Sequence, residues 1–183
     1  MLAENDLAMH FVCTREELQA LIDNTKRFWV SNCGCREDKE GGCKQSRMDV
    51  CLMFSDGIGS SGSGKREATR EDVVGIMREA ELKHLVTRPY RSEDRNTVEG
   101  SCFCCKDCCA YFLNPEERCD KGAFIEETDA KECVDCGACV DLCYFGARKM
   151  VGDKLVVDRE KCFGCGLCRD ACAVDCIKML ARG

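Results

Sequence analysis

The chain has 183 residues, a formal net charge of −6, 20 cysteines and only 7% aromatic residues. That composition gives a thin apolar core for the length, so disulfide or metal staples are expected. The acidic balance excludes nucleic acid as the main partner, and no apolar run approaches the ~18 residues of a membrane span. The first ten residues, MLAENDLAMH, lack the basic flank and apolar run of an export leader. A cytoplasmic location follows as the expectation. There thiols stay reduced and bind metal rather than pair as disulfides.

In chain order, Thr14-Arg15-Glu16-Glu17 is a capping box. Leu18, Leu21 and Ile22 follow at helical spacing, predicting a helix from about Arg15 to Lys26. SNCGCREDKEGGCKQSRMDVCLMF comes next and carries Cys33, Cys35, Cys43 and Cys51. Four thiols with glycines in the turns make a candidate metal loop, the alternative being a set of buried cysteines packing as small hydrophobes. GSSGSGKR (residues 59–66) has the outline of a phosphate-binding loop. It has Arg66 where Ser or Thr belongs, and no helix start follows at once, so it reads as a mobile Gly/Ser surface loop. Thr69-Arg70-Glu71-Asp72 is a second capping box, and Val73, Ile76, Met77 and Ala80 extend a helix to about Leu82. The two helices are expected to pack with Trp29, Phe54 and Leu85. KHLVTRPYRSEDR reads as a solvated loop with mixed charges, and its His84 as a capping or packing residue. Cys13 and Cys119 stand apart and read as structural or free thiols.

The stretch SCFCCKDCCAYF has five cysteines: Cys102, Cys104, Cys105, Cys108 and Cys109. Cys102, Cys105 and Cys108 form C-x2-C-x2-C, but the position four beyond Cys108 is Phe112. The missing fourth thiolate is expected from the Cys33–Cys51 segment, so the two segments should meet in space. Cys104 and Cys105, adjacent in an extended segment, should diverge rather than bind one metal. Two cubanes with one thiol left over, one cubane plus zinc, or a larger cluster all remain open. One or two further iron–sulfur clusters are expected here, with zinc as the alternative.

The last third is duplicated at an offset of 29 residues. Cys133, Cys136, Cys139 and Cys143 map onto Cys162, Cys165, Cys168 and Cys172, and Gly137 onto Gly166. Each half reads C-x2-C-x2-C-x3-C. Three thiolates spaced by two residues on a tight loop converge on three irons of one cube, and the fourth is carried toward the other cube. Cluster I is thus assigned to Cys133, Cys136, Cys139 and Cys172, and cluster II to Cys162, Cys165, Cys168 and Cys143. Strands are expected at AFIEE and around a two-residue turn at Gly152-Asp153. Cys176 reads as a packing residue.

Residues 123–183 resemble the bacterial-type two-[4Fe–4S] ferredoxins. The resemblance implies an α+β, ferredoxin-like domain with two cubane clusters and low-potential single-electron transfer. The family's proline after each fourth cysteine is replaced by Tyr144 and Ala173, which puts the local loop geometry in doubt. The pieces CGCRE, DVCLMF, LKHLVT and CFCCKDCC resemble a cysteine-rich domain fused to ferredoxins of anaerobes. The expected organisation is therefore a small, helical, metal-stapled domain (1–122) followed by the ferredoxin domain (123–183). The expected function is electron relay to or from a partner oxidoreductase, through a polar and salt-sensitive contact. Two rivals stand beside it. One is a reductase with a substrate-binding cluster in the N-terminal domain, acting on a thiol, disulfide or small molecule. The other is a redox or metal sensor.

Overall fold

The computed structural model describes residues 7–114 and 117–183. Most of the first ten residues, where a leader was sought, lie outside them. Both capping boxes form. Thr14 Oγ1 accepts from Glu17 N, and the Glu17 carboxylate accepts from Thr14 N at 2.8 Å. They start helix α1 (Arg15–Asp23), which ends one turn before the expected Lys26. Thr69 and Asp72 do the same for the later helix, Arg70–Leu82. That helix stops in a Schellman turn. Leu85 N bonds Ala80 O at 2.8 Å and His84 N bonds Glu81 O at 3.2 Å, with His84 at φ +51°. His84 is thus a helix-stop residue.

The first unit is not a small helical domain. Its centre is a seven-stranded sheet built from β1 (His10–Phe11), β2 (Phe28–Ser31), β3 (Cys51–Met53), β4 (Arg66–Ala68), β5 (Val86–Arg91), β6 (Val98–Cys104) and β7 (Cys119–Asp120). The order is β4-β2-β3-β6-β5-β1-β7, antiparallel except for β1 with β7. These strands escape a sequence reading because most are two to four residues long. Pro89 also argues against a strand at 86–91, yet β5 lies between β6 and β1.

Period-two alternation gives the sheet two different faces. Phe28, Val30, Leu52 and Phe103 pack on one face against Leu18, Ile22, Val73, Ile76 and Ala80 of the two long helices. Leu85 joins them as expected, with Phe54 at the margin. Trp29 does not, because it points the opposite way from Phe28 and Val30 and lies under the Arg27 guanidinium at 4.8 Å. The other face, with Val86, Cys104 and Cys109, packs against Leu142, Tyr144, Phe145, Phe163 and Leu167 of the C-terminal repeat.

Residues 59–65 are held down rather than free. Ser63 O accepts from Asn32 N, and the Glu37 carboxylate accepts from Ser63 N at 2.8 Å. Strand β4 follows, so the helix that a phosphate loop needs is absent. The short helix α2 (Gly34–Glu37) lies so close beneath this loop that a Cβ on Gly34 would meet Ser61 O at 2.3 Å.

In the C-terminal repeat the duplication is visible in the backbone. Short helices at Ala138–Asp141 and Leu167–Asp170 begin at Gly137 (φ +77°) and Gly166 (φ +80°). Asp135 and Gly164, and likewise Gly146 and Asp175, share positive φ at the 29-residue offset. Strand β8 (Phe124–Thr128) pairs with β11 (Ile177–Ala181), and β9 (Arg148–Val151) pairs with β10 (Lys154–Val157). The expected turn at Gly152-Asp153 joins the latter pair. Among the described residues no helix is long and apolar enough to cross a membrane.

Candidate functional site: three groups of thiols

All 20 cysteines are free thiols. All but Cys13 fall into three groups.

In the C-terminal repeat, two apolar cavities are lined by cysteines. The first, of about 20 Å³, is lined by Cys133, Cys136, Cys139 and Cys172, with Cys176 beside them. The second, also of about 20 Å³, is lined by Cys143, Cys162, Cys165 and Cys168. In each, three thiols of one motif meet the fourth thiol of the other motif. The short helix after each third cysteine is what carries that fourth thiol across. Cys176 is buried with Cys139, Cys168 and Ile177, and its Sγ lies 3.4 Å from Cys172 Sγ. Burial raises Cys165 to about 12 and Cys168 to about 11. A metal charge beside these two would favour their thiolates, and four thiols around one apolar cavity are a donor set that fits an iron–sulfur group. Arg148 is buried, bonds Cys139 Sγ at 3.2 Å and Thr128 Oγ1 at 2.8 Å, and pairs with buried Glu126. Its counterpart in the duplication is Ile177, so nothing in the repeat pattern pointed to it.

The second group lies on the sheet face turned toward this repeat, except for its last member, Cys33, which packs against the helix-covered cluster. Cys51, Cys102, Cys104, Cys109, Cys35 and Cys33 form a string in which each thiol interacts with the next. Along it the acidities alternate, as hydrogen bonding to a neighbour stabilises one thiolate and suppresses the next. Cys51 is lowered to about 6 chiefly by Cys102, and Cys35 to about 2 chiefly by Cys109. Cys104 falls well below the ordinary thiol value, while Cys102 and Cys109 rise. Arg88, buried on β5, donates to Cys104 Sγ at 3.7 Å and Cys109 Sγ at 3.5 Å, and also pairs with Glu117. The reading of 83–95 as a solvated loop missed this residue. Cys119, raised to about 11 by burial, packs at the edge of the same cluster.

The third group is Cys43, Cys105 and Cys108, on the helix-covered face. Cys105 Sγ lies 3.7 Å from Cys43 Sγ and 3.3 Å from Cys108 Sγ. Cys105 is lowered to about 5 chiefly by Cys108, which is itself raised. The two thiol-rich segments therefore do meet, but the C-x2-C-x2-C triplet does not act as one set. Cys102 lies with Cys51 and Cys104, on the opposite face of the sheet from Cys105 and Cys108. Strand β6 sends Cys102 and Cys104 to one side and Phe103 to the other, and the chain then leaves the sheet with Cys105 on the Phe103 side. Adjacent Cys104 and Cys105 diverge for the same reason. Cys13, raised to about 12 by burial, belongs to none of these groups and bonds Thr87.

Tyr144, where the resemblance leads one to expect proline, is a joint between the units. Its hydroxyl donates to His84 O at 3.0 Å and accepts from Gln45 Nε2 at 2.8 Å. Around it Phe112 and Phe145 pack edge-on, and Phe145 stacks on Phe163 at 4.3 Å. Arg15–Asp170 and Glu16–Arg169 ion pairs, both at 2.6 Å, close the same seam.

Residues 155–178, spanning the second cysteine run, match the family of 4Fe-4S binding domains. That match indicates 4Fe–4S binding there and makes the segment ferredoxin-type. No curated protein and no solved structure matches the chain.

Proposed function

We propose that the protein is a low-potential electron-transfer protein with two [4Fe–4S] clusters in its C-terminal repeat. Cluster I takes Cys133, Cys136, Cys139 and Cys172, and cluster II takes Cys162, Cys165, Cys168 and Cys143. When bound, such clusters supply reversible one-electron oxidation and reduction at potentials set by ligation, hydrogen bonding and solvent exposure. The observation that carries the reading is the pair of apolar cavities, each lined by thiols from both motifs.

The surroundings of the two cavities differ, and the difference gives the molecule a direction. Cys136 is exposed, and Val134 and Val174 beside it are 63% and 46% exposed. Asp129, Glu132 and Asp175 stand close by. This is the end for a partner oxidoreductase, reached by a small apolar contact within a polar, salt-sensitive rim. Cys165, in contrast, packs into the seam that contains Cys104 and Cys109. Cys35, Cys51, Cys102, Cys104 and Cys109 are proposed as the ligands of a further iron–sulfur centre, which would be the inner terminus of the relay. Arg88 would balance its negative charge, as Arg148 does at the C-terminal thiols. The free state of every cysteine suits a reducing, cytoplasmic setting.

The test is anaerobic purification, iron and sulfide analysis, and spin resonance of the reduced protein. About eight irons and eight sulfides from the C-terminal repeat are expected, with the signal of two magnetically interacting clusters. A repeat that binds zinc in place of iron and sulfide would overturn the proposal.

A further inference from the structure

We propose that Cys43, Cys105 and Cys108 bind a single tetrahedral metal ion, by its chemistry zinc, that staples the N-terminal sheet and is separate from every iron–sulfur site. The first ground is distance. A tetrahedral ion with metal–sulfur bonds of about 2.3 Å holds its sulfurs about 3.8 Å apart. The thiols here stand 3.7 and 3.3 Å apart across Cys105. A cubane gives each thiolate its own iron and needs a wider ring. The C-terminal thiols line two apolar cavities, and among the described residues no three of them gather within 4.8 Å. Among the described residues Cys43, Cys105 and Cys108 are the one group of three candidate ligands gathered within 4.8 Å.

The second ground is charge. Arg36 is 1% exposed, and its guanidinium bonds the Cys108 thiol and lies within charge reach of Cys33 and Cys43. Its other bonds go to backbone carbonyls, those of Arg47 and of Phe103, the latter at 2.9 Å. Its Nε has no partner, and among the described residues no carboxylate pairs with it. A buried cation needs a buried anion. Thiols that keep their protons do not provide one, whereas a zinc ion with four thiolates carries two net negative charges. Cys33 is assigned as the fourth ligand. Its sulfur meets Cys35 at the end of the string and lies outside the 4.8 Å group, but the residue packs against the same cluster and beside Arg36, so it links the two thiol groups.

The third ground is position. Cys43 and Cys105 are 62 residues apart in the chain, and the loops that hold them are braced at the same place. Lys39 pairs with Asp107 at 2.6 Å, and Lys44 N donates to Asp107 at 2.9 Å. A closed four-thiolate zinc site is structural, without open coordination or redox change. It joins segments that the thin core alone holds weakly.

The inference stands apart from the electron-transfer reading, which fails on iron and sulfide, whereas this one fails on zinc. Zinc in the full chain, purified without oxygen from medium containing iron and zinc, is counted by mass spectrometry. About one zinc per chain is expected, and X-ray absorption at the zinc edge should give a sulfur-only shell at about 2.3 Å. The absorption measurement needs no variant and so survives any folding defect. Cys43→Ser and Cys108→Ser should each release the zinc and keep the iron, the sulfide and the reduced-state spin signal. Arg36→Met should lose zinc to a chelator faster than the native protein, and Arg36→Lys should restore part of the difference. Zinc-free protein, zinc with nitrogen or oxygen ligands, or loss of about four irons in Cys43→Ser would each overturn the proposal.

Discussion

The two halves of this molecule gather thiols by opposite means. In the C-terminal repeat each motif spans eleven residues or fewer, and local backbone does the work. Glycine or aspartate at positive φ turns the loop, and a one-turn helix delivers the fourth thiol across to the other motif. In the N-terminal unit, thiols as far apart as Cys43 and Cys105, or Cys35 and Cys109, are collected by a sheet and its flanking loops. Spacing along the chain is therefore a reliable guide in the first case and a misleading one in the second. Cys102, Cys105 and Cys108 have the spacing of a ferredoxin triplet and still separate to two faces of the sheet.

The sharpest way to separate the halves is to remove one ligand. Cys168→Ser should abolish one C-terminal cluster, lowering iron by about four per chain while leaving zinc intact. Metal analysis of the purified variant checks it. A smaller effect is expected from the N-terminal core. Ile76→Ala, fully buried between helix and sheet, should cost about 2–5 kcal/mol in anaerobic urea unfolding. Because the aromatic seam joins the units, the cluster absorbance and the far-ultraviolet circular dichroism should fall in one transition. Two separate transitions would show that the halves unfold independently.

Smaller again is the seam itself. Tyr144→Phe removes the bonds to His84 and Gln45 and keeps the ring, so a loss of about 0.5–1.5 kcal/mol is expected. A double-mutant cycle with Gln45→Ala should show coupling. The least effect lies at the cap of the second long helix. The Arg66 guanidinium, then the Thr69 amide, holds the Asp72 carboxyl well below the usual carboxylate range. A depressed folded value means stabilisation that is complete above about pH 4 and lost as pH falls through the lower folded value. Protection of the first-turn amides of that helix, measured relative to their intrinsic exchange rates, should therefore stay flat from neutral pH down to about pH 4. Exposure and screening keep the contribution small, and Asp72→Asn should expose the first turn at all these values.

Sequence reading reached the parts whose signals are local. Both long helices were legible from their capping boxes and apolar spacing, and the ferredoxin-type segment from its repeat. The sheet was hidden because its strands are short and Pro89 sits inside one of them. Arg36, Arg88 and Arg148 were hidden for another reason. Nothing in a sequence distinguishes an exposed arginine from one buried beside thiols, since burial is decided by elements distant in the chain. Tyr144 was visible as a departure from the family's proline, but its partner, the carbonyl that ends a helix 60 residues earlier, was not.

The two faces of β6 carry one more consequence. Because side chains alternate along a strand, parity of position decides whether a cysteine near 102–105 joins the zinc-binding group or the string facing the clusters. The sheet is a partition one chain thick, with a redox-inert metal proposed on one side and electron traffic on the other. A single residue inserted or deleted between Val98 and Cys104 would leave the composition almost unchanged and exchange the two ligand sets. Small length changes in this strand should therefore be tolerated far less than substitutions at its exposed positions.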